Sequence, residues 1–105
     1  MQEMWEIYRV FTDQNGYVNY AGKKHIQRRC RYLMEMVYGK KRVKGKFVHH
    51  INLIRDDDDL SNLLLCTMKE HMRLHKYINA GDINKYEKLV NRLQEKQRKY
   101  LMRDE

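Results

Sequence analysis

Four of the five histidines in this 105-residue chain fall in one stretch, Val48 to His75, which reads VHHINLIRDDDDLSNLLLCTMKEHMRLH. His49 and His50 are adjacent. His71 and His75 are four apart in a segment with helical patterning, so both imidazoles project from one face. Two histidines on a helix face plus a third from a strand end can hold one divalent ion. Zinc and similar ions take imidazole nitrogen readily, and three protein ligands leave a coordination position open for reaction. If His49 is the third ligand, His50 is left over. A free imidazole beside a Lewis acid is a ready general base for water.

These residues need elements to position them. Phe47 and Val48 read as a strand that delivers the histidine pair. Successive strand residues point to opposite faces, so both histidines can serve one site only if the strand ends there and the backbone turns. Leu63–Leu65 reads as a second, mostly buried strand. Thr67 and Glu70 form a capping-box pattern that starts a helix just before His71. Leu74 and Ile78 give that helix its buried face, and Ala80-Gly81 ends it.

Upstream, Ile7, Tyr8, Val10 and Phe11 precede Asn15-Gly16, a strong hairpin signal. Strands are expected near 6–11 and 17–20, with Trp5 and the tyrosines packing. Cys30, Leu33, Met34 and Val37 recur at helical spacing, which predicts a helix from Gln27 to Tyr38 stopped by Gly39. Lys40–Lys46 reads as a basic turn, His25 as a surface residue, and Cys30 and Cys66 as core. Asp82 caps a last helix on which Ile83, Tyr86, Val90, Leu93, Gln97 and Tyr100 form a heptad-like seam. With polar Gln97 and two tyrosines it makes a weak zipper, so packing within the chain or crossing DNA is favoured over pairing two subunits.

Charge narrows the partner. The net charge is +8, and residues 23–46 hold ten Lys and Arg against a single acid. Such a block placed directly before the histidine pair favours a polyanion, nucleic acid first. The block supplies Lys23, Lys24, Arg28, Arg29, Arg31, Lys40, Lys41 and Arg42 as phosphate-binding candidates, with Arg73 and Lys76 on the histidine-bearing helix. No stretch approaches the roughly 20 apolar residues of a membrane span. The beginning MQEMWEIYR does not read as a secretory signal. Two cysteines without a Cys-x-x-Cys exclude a disulfide scaffold, so a reducing cytoplasm is expected.

The order His49-His50, Asn62-Leu63, His71 and His75, with the upstream RYLMEMVYGKKRVKGKFVHHIN, resembles the HNH endonuclease family. The three-histidine set is similar to the colicin-type nucleases, and the surrounding text to small phage HNH proteins. The resemblance covers roughly residues 17–77. It implies an α+β fold with a strand–loop–strand–helix (ββα-metal) core over 47–80. A hairpin over 1–22, a basic helix and turn over 23–46 and a long helix over 82–103 would flank that core within a single domain. It implies one divalent ion (zinc, magnesium, manganese or nickel) on His49, His71 and His75. His50 would act as general base, and Asn62 would pin the loop. The implied reaction is hydrolysis of DNA phosphodiesters, double-stranded most of all, to 5′-phosphate and 3′-hydroxyl ends. A monomer is favoured, with a dimer through the last helix as alternative. A non-cleaving DNA-binding or phage accessory protein is the rival reading. Homing, packaging, defence and toxicity all remain open as biological roles.

Two positions depart from such phage proteins. Leu53 stands where they carry glycine, and Asp57-Asp58 where they carry Asp-Asn. As neither is a ligand or base, both read as loop detail. The Asp56–Asp59 run reads as a solvated loop, since four adjacent carboxylates cannot all face one ion.

Overall fold

The computed structural model describes residues 4–102, so residues 1–3 of the expected hairpin segment and residue 103 of the expected last helix lie outside it. The fold is α+β, with two small antiparallel sheets and four helices among the described residues.

The first sheet is β1 (Arg9–Thr12), β2 (Val18–Ala21) and β3 (Ile26–Arg28), with β2 in the middle. Between β1 and β2 the Asp13 carboxylate accepts hydrogen bonds from the backbone amides of Asn15 and Tyr17 at 2.9 and 3.1 Å. β3 was not expected. It forms because β2 offers its second edge to the chain as it folds back, with Asn19 opposite Arg28. The turn needs Gly22, where a Cβ would sit 2.6 Å from a Trp5 ring carbon.

The helix α1 (Arg29–Tyr38) follows without a break. The expected basic turn contains the single-turn helix α2 (Lys40–Val43). The second sheet pairs β4 (Phe47–His50) with β5 (Leu63–Cys66). Every residue of β5 is buried, and its alternation feeds two cores. Leu64 and Cys66 pack with Leu74, Leu89, Val90 and Leu93. Leu63 and Leu65 pack with Cys30, Met34 and Val43. The sheet therefore has α1 and α2 on one face and two later helices on the other.

These are α3 (Met68–Ala80) and α4 (Ile83–Met102). Thr67 and Glu70 form the complete reciprocal capping box at the start of α3. Gly81, at φ 70°, ends it in the left-handed conformation that favours glycine. The α4 seam packs inward. Val90 and Leu93 are core, and the Gln97 amide bridges β5, its Oε1 accepting from Leu65 N at 2.6 Å and its Nε2 donating to Leu63 O at 3.1 Å.

Candidate metal centre and general base

Residues directly opposite in an antiparallel pair share a face of the sheet. His49 lies opposite Leu64 and His50 opposite Leu63. The pleat therefore sends His49 towards α3 and α4, and His50 towards α1. β4 ends at His50, and the chain turns at once, with Leu53 N donating to His50 O at 3.0 Å. Both rings line one cavity of about 220 Å³, together with His71 and His75.

On the α3 side, His49, His71 and His75 offer ligand nitrogens that all lie within 4.8 Å of one another. The two Nε2 atoms of His71 and His75 are 3.1 Å apart. Nitrogens on one tetrahedral zinc stand about 3.3 Å apart, given bonds of about 2.0–2.1 Å. Small side-chain adjustments thus suffice for one ion. The donor set is chemically suitable too. Burial, followed by the charges of His75, His71 and His50, holds His49 down at about 4, so it is a neutral ligand at physiological pH. Burial and His75 lower His71 as well.

Tyr86 completes this side. Its hydroxyl donates to Ile51 O at 2.8 Å, so the 2.8 Å contact with His49 Nε2 makes the ring nitrogen the donor. The hydrogen of His49 therefore sits on Nε2, leaving the Nδ1 lone pair as the ligating one. Sequence reasoning placed Tyr86 only in an apolar seam and missed this role. The available signal was a tyrosine where a zipper wants an aliphatic residue.

On the α1 side, His50 Nε2 meets Asp58 Oδ1 at 2.7 Å, with both side chains buried. Asp58 Oδ2 accepts from Arg29 Nε at 2.9 Å, and Arg29 also donates to Asp56 O. This corrects the reading of Asp58 as solvated loop detail. Its neighbours Asp56 and Asp59 are exposed, but Asp58 is only 8% exposed and lies under the histidine. Cys30 Sγ is within 4.8 Å of both. Burial and the Asp58 charge push that thiol up to about 11. A cation there would have to displace Arg29 and ionise a buried thiol. Cys30, His50 and Asp58 therefore suit a support for the histidine, not a second ion.

Asn62 ties the connecting loop together. Its amide donates to Asn52 Oδ1 and Asp57 O, and its Oδ1 accepts from Asn52 N. Leu53, at the turn, has φ 67°, the only positive φ at a non-glycine among the described residues. The backbone thus keeps the shape a glycine would favour, and the departure at Leu53 carries a strain that loop detail does not describe.

The basic candidates divide. Lys23, Lys24, Lys40, Lys41, Arg73 and Lys76 are exposed, the last two on α3 beside the histidines. Arg29 is held by Asp58. Arg31 donates to Lys46 O and Val43 O, and Arg42 to Tyr100 O while lying over the Tyr100 ring. Arg28 lies over the Tyr17 ring. Guanidiniums satisfied by backbone carbonyls look the same in sequence as those facing solvent.

β4, the loop after it, β5 and α3 thus form a strand–loop–strand–helix unit on which imidazoles converge from strand and helix. Residues 31–73 match the family model described as HNH endonuclease, so this segment of the chain is similar to the HNH endonuclease family. The match takes in His49, His50, Asn62 and His71. No curated protein and no solved structure matches the chain. The likeness of this segment points to nuclease- or DNA-related function and to a nucleic-acid substrate. No helix among the described residues is long and apolar enough to cross a membrane.

Proposed function

We propose that this protein is a metal-dependent endonuclease that hydrolyses DNA phosphodiesters, with His50 as general base. The observation that carries the reading is the division of labour across β4: three imidazoles within reach of one ion on one face, and a fourth anchored to Asp58 on the other.

His49, His71 and His75 would hold the ion. When bound, a divalent ion supplies Lewis-acid stabilisation of charge on the phosphate and leaving oxygens. The chain's own residues do the rest. Asp58 accepts a hydrogen bond from the Nε2–H of His50, which fixes the tautomer and leaves the lone pair on Nδ1. That nitrogen accepts the proton of a water as its oxygen bonds to phosphorus. The bond from phosphorus to the 3′ oxygen breaks, and that oxygen takes a proton from solvent. The Asp58 carboxylate meets the charge gained by the ring, and Arg29 keeps the carboxylate oriented. Asn62 holds the loop that carries Asp58. Exposed Lys23, Lys24, Lys40, Lys41, Arg73 and Lys76 contact backbone phosphates, which position DNA without reading its sequence.

The test is nicking of supercoiled plasmid with zinc, magnesium, manganese or nickel, against a chelator control. Metal-dependent conversion to open-circular or linear DNA supports the reading. Tight DNA binding without cleavage under any of the four ions would favour a non-cleaving DNA-binding protein.

A further inference from the structure

The loop after β4 meets the β1–β2 turn beside His50. Arg55 donates from Nη1 to Asn15 O at 2.8 Å, and its guanidinium carbon lies 5.3 Å from the Tyr17 ring centroid. Arg28, at the end of β3, places its guanidinium over the same ring at 3.6 Å. Tyr17 is itself 5.9 Å from the His50 ring, and Tyr17 and Arg55 line the histidine cavity. Two cations therefore share one aromatic platform at the edge of the reactive site.

Neither cation is neutralised. Among the described residues, neither Arg28 nor Arg55 forms an ion pair, although four aspartates directly follow Arg55. Asp13 feels the Arg28 charge, but its oxygens already accept from Asn15, Tyr17 and Asn19. Like charges brought together without a counterion repel. A phosphodiester relieves that repulsion and accepts from the fork of donors that each guanidinium presents. The ring holds the two side chains in place beforehand, which reduces the ordering cost of binding.

We propose that Arg28 and Arg55, arranged on Tyr17, form a subsite for a nucleic-acid backbone phosphate next to the one attacked with the help of His50. The assignment rests on the nuclease reading for the identity of the attacked phosphate. The subsite makes the N-terminal hairpin part of the substrate-binding surface, and it selects Arg55, which lies outside the basic block.

Binding of a fluorescent DNA duplex to chelator-treated protein tests this without cleavage. Arg55→Gln and Arg28→Gln should each weaken binding by roughly tenfold and reduce the slope of log affinity against log salt by about one. Arg55→Lys should recover the slope. Arg98→Gln removes the same charge far along α4 from an arginine paired with Glu95, and it should leave the slope unchanged. If Arg55→Gln loosens the turn, as read by melting temperature, Arg28→Gln carries the test, since its contact is with a ring alone. Unchanged affinity and slope in Arg28→Gln, or an equal loss in Arg98→Gln, would overturn the subsite. Because binding is read on metal-free protein, a wild type that fails to cleave would sink the nuclease reading and leave this measurement standing.

Discussion

His50 Nε2 lies 2.7 Å from Asp58 Oδ1, and both side chains are buried. A histidine engaged by a carboxylate through one nitrogen has a defined tautomer and a defined direction for the other. Asp58→Ala should therefore lower the cleavage rate by roughly 10²-fold while leaving DNA affinity nearly unchanged. It should also cost about 1–3 kcal/mol of stability, because Arg29 loses its carboxylate. Asp58→Asn should fall between the two, since an amide oxygen still accepts from Nε2. Steady-state kinetics and melting curves check this, and an unchanged rate in Asp58→Ala would remove Asp58 from the mechanism.

Removing the ion, or its supports, should act on stability and affinity together. Chelator, His71→Ala and His75→Ala should each lower the melting temperature of metal-loaded protein, since the ion binds only the folded site. Tyr86→Phe keeps the ring in the core but loses the hydroxyl that accepts from His49 Nε2. Its metal affinity should drop about 10- to 100-fold. Melting curves read the first effect and isothermal titration on chelator-stripped protein the second, and wild-type affinity in Tyr86→Phe would contradict the orientation assigned to His49.

Gln97 separates a seam that packs within the chain from one that zips two chains. Its amide satisfies the backbone of Leu63 and Leu65 along the open side of β5. Gln97→Ala leaves a buried N–H and C=O unpaired, at about 2–3 kcal/mol in total. A loss of that size, independent of protein concentration, is expected from chemical denaturation. A Gln97→Leu variant that gains stability with concentration would show the seam acting between subunits instead.

Leu53 sits at φ 67° and is about half exposed, so it carries backbone strain with little burial in return. Leu53→Gly should stabilise the fold by about 0.5–1 kcal/mol, the cost of a left-handed β-carbon outweighing the added freedom of the unfolded chain. A lower melting temperature would mean that the Leu53 side chain packs more usefully than its exposure suggests.

Legibility from sequence followed the range of the interactions. The capping box of Thr67 and Glu70, the Gly81 stop and the Asn15-Gly16 turn are local, and each was readable from a few neighbouring residues. So was the α+β pattern as a whole. β3 was not, because Ile26–Arg28 becomes a strand only when β2 presents an edge to it. Asp58 was hidden in a run of four identical acids. Nothing in residue type tells which one the loop turns inward, and that choice is made by Asn62, which ties the loop a few residues on, and by Arg29 from far along the chain. The roles of Arg31 and Arg42 were obscured in the same way. Their positive charge was visible, but the carbonyls that use it were not.

The central claim is that one histidine acts on water while three others hold an ion. The measurement that tests it most directly compares wild type and His50→Ala for bound metal and plasmid cleavage in the same preparations. One equivalent of metal in both proteins, with cleavage by the wild type alone, is the predicted result. Cleavage by His50→Ala at the wild-type rate would contradict it, as would metal-loaded wild type that leaves the plasmid intact.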